Sequence, residues 1–430
     1  MKATVRRGLR RLASWRCLAL VCLTAYLAAA AMGADWPQFR GPGGLGTSDE
    51  TEIPTHWNDR QGVVWKCDLP GFGASSPVTV GERVFVTCYS GYGLGQNGGN
   101  LQHLKRHLVC VRRGDGEIDW TREIETAMPE QAYGGQFLTL HGYASSTPAT
   151  DGRRLYVFCG KSGVFAFELD GSPVWHTSVG EGTHDWGSGT SPVLYKNLVI
   201  VNAGVESGSL VGLDKDDGHE VWRAGGMKRA WNTPLVVELP GGDELVVSVE
   251  GRMFGFDPSG GKELWSCPGI DDYVCPSVVA HDGVVYAIGG RGKPGLAVRA
   301  GGRGAVQPLW RTPKGSNVSS PVYHEGHIYF ASENQGIVFC IAAETGKEVY
   351  GQRLTPKPDR IYASPVLVDG KIYYVSRNQG TYVVAAKPKF KLLAHNVIKS
   401  DASAFNASPA VSDGRLFLRS DQRLYCIGAK

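Results

Sequence analysis

The sequence predicts an all-β fold, an eight-bladed β-propeller of four-stranded antiparallel blades. Three observations predict it. A small residue followed by proline opens eight units, and after the first step of 71 residues the prolines recur every 42 to 45 residues, the length of one blade. A glycine precedes an aromatic residue by four positions in several units. Each end of the chain holds only part of a blade.

The eight units share an opening of Ser, Thr or Cys followed by Pro. The openings are Ser76-Pro77, Thr147-Pro148, Ser191-Pro192, Thr233-Pro234, Cys275-Pro276, Ser320-Pro321, Ser364-Pro365 and Ser408-Pro409. A β-rich run, a polar turn and a second run follow, and Asp-Gly in the turn favours a tight hairpin because both residues accept positive φ. The long first step predicts one blade plus two insertions, Cys88–His107 and Thr121–Tyr143.

Later in each unit, a second glycine turn is followed by an aromatic residue. The constant spacing, as in Gly218 and Trp222, indicates a constant structural role. A flat indole near the outer strand can pack into the seam between neighbouring blades and bury about 150–250 Å². We therefore expect these residues to dock one blade on the next: Trp65, Trp120, Trp175, Trp222, Trp265, Trp310 and Tyr350.

The two chain ends complement each other. The last unit supplies three strands and ends at Lys430 without a tryptophan, whereas Gly62–Lys66 forms an orphan strand with its own Trp65. We expect this N-terminal strand to complete the last blade, because closure removes free sheet edges. The propeller then covers residues 62–430.

The first 33 residues predict a secretory signal peptide. Six basic residues and no acid precede an apolar stretch from Leu18 to Ala31, and Ala31 and Gly33 favour cleavage before Ala34. An uncleaved membrane anchor is the alternative, and the export route stays open. Residues 34–61 then form an N-terminal arm, and the mature protein is expected in the periplasm or secreted, without a transmembrane span.

Charge and cysteine usage exclude some functions. The whole chain carries +4, of which the signal segment contributes +6, so the mature protein is close to −2. This balance argues against a nucleic-acid partner. The cysteines lie mostly in apolar runs without metal-type spacing, and only Cys267 and Cys275 are candidates for a disulfide. No metal site and no catalytic residue are predicted, and a monomer is expected.

The later part of each unit resembles the repeat A-x-D-x-x-T-G-K-x-x-W of the PQQ-like propellers. The segments "GLDKDDGHEVW" and "GFDPSGGKELW" follow it closely, and "CIAAETGKEVY" keeps Thr-Gly-Lys but ends on Tyr350. The resemblance covers about Trp65 to Cys426. It implies the propeller fold but no single function, since the family contains quinoprotein dehydrogenases and also non-enzymatic proteins similar to BamB.

In the dehydrogenases, the resemblance implies a quinone on the channel axis, a disulfide between adjacent cysteines, and calcium held by Glu, Asn and Asp. No adjacent cysteines occur here. Asp185, Asp271 and Asp272, with Asn232 and Asn317, are the available oxygen ligands, but calcium needs six to eight converging oxygens. PQQ with calcium is therefore an alternative cofactor for which the sequence offers no recognisable set of binding residues.

The segment before each opening proline predicts a ligand surface. The innermost strand of each blade begins there, at the mouth of the central channel, and the positions combine aromatic, charged and amide side chains as binding sites do. The predicted mouth residues are Tyr143, Trp186, Trp231, Asn232, Tyr273, Asp271, Asp272, Asn317, Arg229, Arg360, Tyr362, Phe405 and His141, accompanied by His184 and Asp185. Ordinary channel-lining contacts are the competing interpretation.

These observations predict an exported binding or scaffold protein that engages a protein, peptide or polysaccharide through the channel mouth. A PQQ-dependent oxidoreductase is the alternative function.

Overall fold

The computed structural model describes residues 35–95 and 99–429, and their regular structure is almost entirely β. The predicted signal peptide and its cleavage position lie outside the described residues. The short helices are 3-10 turns at Pro42–Gly44, Leu101–His103 and Gly160–Ser162, and one α-helix, α1 (Phe137–Leu140). No helix in the described part of the chain is long and apolar enough to cross a membrane.

The strands follow one another in chain order. The first half comprises β1 (Thr47–Ser48), β2 (Val63–Asp68), β3 (Val78–Val80), β4 (Arg83–Ser90), β5 (Lys105–Arg112), β6 (Ile118–Ile124), β7 (Ala149–Thr150), β8 (Arg154–Phe158), β9 (Val164–Glu168), β10 (Pro173–Thr177), β11 (Val193–Tyr195), β12 (Leu198–Ala203), β13 (Ser209–Asp214), β14 (Glu220–Gly225), β15 (Leu235–Val237), β16 (Glu244–Val249) and β17 (Arg252–Phe256). The second half comprises β18 (Glu263–Pro268), β19 (Val279–His281), β20 (Val284–Ile288), β21 (Gly295–Arg299), β22 (Gly304–Ala305), β23 (Trp310–Thr312), β24 (Val322–His324), β25 (His327–Ala331), β26 (Ile337–Ala342), β27 (Glu348–Arg353), β28 (Val366–Val368), β29 (Lys371–Ser376), β30 (Gly380–Ala385), β31 (Leu392–Asn396), β32 (Ala410–Ser412), β33 (Arg415–Arg419) and β34 (Arg423–Ile427).

Eight antiparallel sheets form the blades, which confirms the predicted eight-bladed propeller. Blade 1 is β3–β6, blade 2 is β7–β10, blade 3 is β11–β14, blade 4 is β15–β18, blade 5 is β19–β21 with β23, blade 6 is β24–β27, blade 7 is β28–β31, and blade 8 is β32–β34 with β2. Apolar side chains between neighbouring blades form the core, as in the cluster that joins Trp65, Val84 and Phe417.

The ring closes through the N-terminal strand, as the sequence predicts. Strand β2 pairs antiparallel with β34, and Val63 lies opposite Ile427 while Asp68 lies opposite Arg423. Two short strands add to the blades in a way that the repeat did not predict. Strand β1 pairs in parallel with β28, and β22 pairs in parallel with β18.

Residues 35–53 cross the face that carries the hairpin turns between the first two strands of each blade, here called the arm face. Trp36 exchanges hydrogen bonds with Thr79 of blade 1, and Glu50 accepts backbone N–H bonds at the turn of blade 8. The buried guanidinium of Arg40 donates to the carbonyls of Gly44, Leu45 and Pro321, and burial lowers its pKa to about 9. The arm therefore connects blades that are distant in sequence.

A ring of Ser and Thr side chains explains the repeated opening. From blade 1 to blade 7, the backbone N–H at this position donates to the hydroxyl oxygen at the same position of the next blade. The seven bonds run through Ser76, Thr147, Ser191, Thr233, Ser277, Ser320, Ser364 and Ser408, here called the hydroxyl ring. Each bond satisfies a buried N–H next to the channel.

The opening predicted at Cys275-Pro276 is wrong by two residues. Ser277 occupies the ring position of blade 5, because its hydroxyl accepts from the N–H of Thr233 and its own N–H donates to Ser320. Val278 stands where the other blades have proline. Cys267 and Cys275 are both free thiols.

The aromatic residues at the ends of the units pack across the seams between blades. The Nε1 atoms of Trp65, Trp175, Trp222 and Trp310 each donate to a backbone carbonyl in the second glycine turn of the next blade. Gly218 in one such turn has a φ of +78°, and a Cβ there would lie 2.5 Å from the ring of Trp175. The other docking aromatics differ in detail. Trp265 donates to Glu244 of its own blade, Tyr350 packs edge-on against Phe390, and Trp120 packs against Phe85 and the Gly171 turn.

Candidate functional site

A segment of blade 1 covers the channel at the face where the innermost strands begin, here called the mouth face. We call residues 125–143 the lid segment; it follows β6 and contains α1. The carbonyl of Thr139 accepts hydrogen bonds from Arg377 Nη2 of blade 7 (2.9 Å) and from Asn406 Nδ2 at the start of blade 8 (3.3 Å). Phe137 of the same segment stacks on Trp186, which precedes blade 3 on the opposite side of the ring from blade 7. The lid segment therefore spans the mouth.

The base of the lid segment is held by a buried ion pair. Arg106 Nη2 lies 2.6 Å from Glu130 Oε2, and both side chains are about 5% exposed. Arg106 also donates to Ser162 Oγ and to the carbonyl of Tyr143, so its nitrogens all have partners. Lys161 Nζ donates to the carbonyl of Pro129. An unpaired buried charge is costly, so Arg106 and Glu130 are expected to stay together. Their ion pair therefore fixes the start of the lid segment against blade 1.

Four aromatic side chains form a continuous cluster at the mouth. Phe137 of α1 stacks on Trp186 with ring centroids 5.1 Å apart, and Trp186 contacts Trp231 at 5.1 Å and Tyr273 at 4.8 Å. Trp231 is only 8% exposed and its Nε1 donates to the carbonyl of Gly187. Trp186 remains partly exposed and is fixed by Phe137, Trp231 and Tyr273, whereas Trp231 and Tyr273 are buried.

Charged groups border this aromatic cluster on blades 4 and 5. The guanidinium carbons of Arg229 and Arg291 lie 5.7 and 5.3 Å from the Tyr273 ring centroid. Arg229 also pairs with Glu250 at 2.8 Å. Partial burial opposes ionisation of Asp272, but N–H bonds from Arg291 and Tyr273 prevail and lower the pKa of its carboxyl. Asp271, Asp185 and His184 lie on the same surface, with His184 2.9 Å from Asp185.

Several predicted mouth residues have structural partners instead of free surfaces. Asn232 is 1% exposed and its Nδ2 donates to the carbonyls of Ser248 and Val274. Tyr143 is buried in the lid segment, where it stacks on Tyr133 with centroids 4.0 Å apart. Phe405 stacks on Tyr425 of blade 8. These three side chains position their blades and the lid segment.

The remaining predicted residues lie around the channel. Arg360 Nη1 donates to Tyr362 Oη at 2.7 Å, and Tyr362 lines the channel. The backbone N–H of Asn317 contacts Glu333, and its Oδ1 is buried without a partner among the described residues. His141 lies next to Phe137, and burial lowers the pKa of its imidazole to about 4, so the ring is neutral at pH 7.

An axial cavity of about 190 Å³ lies beneath the lid segment. Phe39 of the arm lines it, as do α1, His141 and the inner edges of several blades. Six hydroxyl-ring positions take part in the wall: Ser76, Thr233, Ser277, Ser320, Ser364 and Ser408. The sequence did not indicate that Phe39 and Phe137 line this cavity or that Arg377 holds the lid segment, because the paths of the arm and lid depend on contacts between distant segments.

The calcium and quinone of the related dehydrogenases do not fit this cavity. Among the described residues that line it there is no Asp, Glu, Lys or Arg, so neither the cation nor the carboxylates of the quinone find a charged partner. The oxygen ligands suggested by the sequence lie elsewhere, with Asp272 bonded to Arg291 N–H and Asn232 bonded to backbone carbonyls.

Comparisons with known proteins agree on the fold. A family model described as outer membrane protein assembly factor BamB matches residues 104–352, which is more than half of the chain. A search of curated proteins finds no significant match.

Solved structures with the same architecture include BamB from Moraxella catarrhalis, with a TM-score of 0.59 and 14% identity over 86% of this chain and 97% of that one. A europium-containing methanol dehydrogenase has a TM-score of 0.63 and 11% identity over 92% and 98%. Quinohemoprotein alcohol dehydrogenase from Comamonas testosteroni has a TM-score of 0.63 and 12% identity over 92% and 81%. At these identities the likeness shows the fold alone. With the family match and the repeats described above, the chain belongs to the PQQ-like β-propeller family.

Proposed function

We propose that this protein is an exported binding or scaffold protein that captures a protein partner through its mouth face. The observation that carries the proposal is Trp186, a partly exposed indole fixed by Phe137, Trp231 and Tyr273. Rigid aromatic residues with arginine neighbours are the groups that contribute most to protein interfaces. The BamB-type family model favours a protein partner over a polysaccharide.

The location of the proposed surface follows from the scaffold. The blades hold the mouth residues on strand ends that hydrogen bonds and packing fix, so little conformational entropy is lost on binding. The guanidinium of Arg291 lies over Tyr273 and forms no ion pair with a carboxylate of the described residues, so it can pair with an acidic group of a partner. Export rests on the basic and apolar segment before Ala34.

The test compares capture by matched variants. Immobilised mature protein is exposed to a cell-envelope extract, captured proteins are quantified by mass spectrometry, and the enriched partner is purified for affinity measurement. Trp186→Ala should weaken its binding by about 2 kcal/mol or more, a factor of about 30, because truncating a central aromatic residue removes a large contact.

The control is Val349→Ala, a change at an exposed apolar residue on outer strand β27 of blade 6. It should leave capture and the melting temperature unchanged. Equal binding by wild type and the Trp186 variant would exclude the mouth as the interface, and so would a loss of binding shared by the control.

A further inference from the structure

The axial cavity is bordered by the arm and by the lid segment and stays partly open to solvent. Phe39 of the arm lies at one end, and Phe137, Leu140 and His141 of the lid segment lie at the other. Trp186, Trp231 and Tyr362 complete an aromatic wall. Concave sites that are lined by aromatic rings and a few polar groups are typical of small-molecule binding, and planar rings stack favourably on such walls.

The hydroxyl ring supplies unused hydrogen-bond donors to this cavity. The oxygens of Thr233, Ser277, Ser320, Ser364 and Ser408 accept backbone N–H bonds. Their hydroxyl hydrogens have no acceptor within residues 35–95 and 99–429. A hydroxyl that already accepts one bond keeps its hydrogen free to donate, so the wall is suited to acceptor oxygens such as carbonyls.

One amide adds an acceptor to the same wall. Asn406 is 8% exposed, lines the cavity, and uses its Nδ2 for the carbonyl of Thr139. Its Oδ1 is buried and has no partner in the described part of the chain. Buried acceptors without partners are uncommon, and a bound molecule with a donor group would supply one.

The cavity wall carries no formal charge. Its described residues include no acid, lysine or arginine, and the only imidazole, His141, is neutral at pH 7 because burial lowers its pKa to about 4. Moving an ionised group from water into such a site without a partner costs several kcal/mol. The wall therefore selects against charged molecules, including a quinone that bears carboxylates.

We propose that the axial cavity is a binding site for an uncharged aromatic molecule that carries a carbonyl oxygen. The ring of the ligand lies among Trp186, Trp231 and Tyr362, and its carbonyl accepts from the hydroxyl ring. The cavity shares Trp186 with the proposed protein interface. The test below uses small probes and no protein partner, so either proposal can fail without the other.

The test uses two probes of the same shape and different charge. Titration calorimetry at pH 7 compares 2-acetylnaphthalene, a neutral aromatic ketone, with 2-naphthoate, its anionic counterpart. We expect the ketone to bind at least about tenfold more tightly, because the carboxylate loses its hydration without gaining a cation. Binding should also slow modification of Cys275, whose residue lines the cavity, by methyl methanethiosulfonate, as read by peptide mass spectrometry.

Matched variants test whether the probe binds inside the cavity. Val318→Trp fills the cavity and should abolish ketone binding, whereas Leu309→Trp adds the same side chain at an exposed position and should leave it unchanged. Cys275→Phe is a second filling variant if Val318→Trp does not fold. Absence of ketone binding to wild type, equal affinity for the two probes, or binding that leaves Cys275 unprotected would each overturn the proposal.

Discussion

At the residue scale, the hydroxyl ring shows why a small polar residue recurs at each blade opening. The side chain must be short enough to lie beside the neighbouring innermost strand, and it must offer an oxygen to that strand's N–H. Thr147 and Thr233 perform this task as serine does elsewhere. The proline that usually follows has no N–H that would need a partner. The motif therefore reflects ring assembly and carries no catalytic meaning.

Replacement of Ser320 tests this role. Ser320→Ala leaves the buried N–H of Ser277 without its acceptor and should lower the free energy of unfolding by about 1–3 kcal/mol. Ser320→Thr keeps the hydroxyl and should cost clearly less. The measurement is denaturant unfolding of both variants at neutral pH. Equal stability of the Ala and Thr variants would show that the hydrogen bond contributes nothing.

At the scale of the element, the seam between two blades depends on an indole and a glycine from different repeats. Trp175 of blade 2 donates to the carbonyl of Lys215, and its ring lies against Gly218 of blade 3. The glycine is needed twice, for its positive φ and for the absence of a Cβ. The spacing of glycine and aromatic residues along the sequence thus records contacts between successive blades.

Two alanine substitutions separate these two requirements. Gly218→Ala conflicts with both requirements, because the φ of Gly218 is +78° and the new Cβ would lie 2.5 Å from the ring of Trp175. Gly208→Ala conflicts only with the backbone requirement, because Gly208 has a φ of +65° and its new Cβ would have nothing within 4 Å. The Gly208 variant should lose about 1–2 kcal/mol from backbone strain. The Gly218 variant should lose about 1–3 kcal/mol more from overpacking. Thermal and denaturant unfolding provide the comparison, and equal losses would contradict the packing role.

Sequence reasoning predicted the blades well and the mouth less well. Blade number and ring closure follow from repeats that can be recognised directly in the sequence. Cys275-Pro276 misled the register because a proline two residues before the ring position imitates the motif. At the mouth, proximity to a strand start could not distinguish Asn232, which bonds to buried carbonyls, from Trp186, which reaches the surface. The lid segment's path across to Arg377 depends on tertiary contacts that no local pattern encodes.

At the scale of the whole molecule, the two chain ends hold the ring together. Strand β2 completes blade 8, and the arm joins blades 1, 7 and 8 on the opposite face from the lid segment. Propellers without such closure leave sheet edges free to pair with other chains. Closure also keeps the mouth residues of all eight blades in one fixed arrangement, on which both proposed sites depend.

Hydrogen–deuterium exchange of the mature protein tests this closure most directly. The amides of residues 63–68 that bond to β34 should exchange as slowly as those of residues 424–427, because both strands belong to one sheet and open together. If residues 63–68 instead exchange at the rate of an unstructured peptide while residues 424–427 stay protected, the ring is not closed by the N-terminal strand.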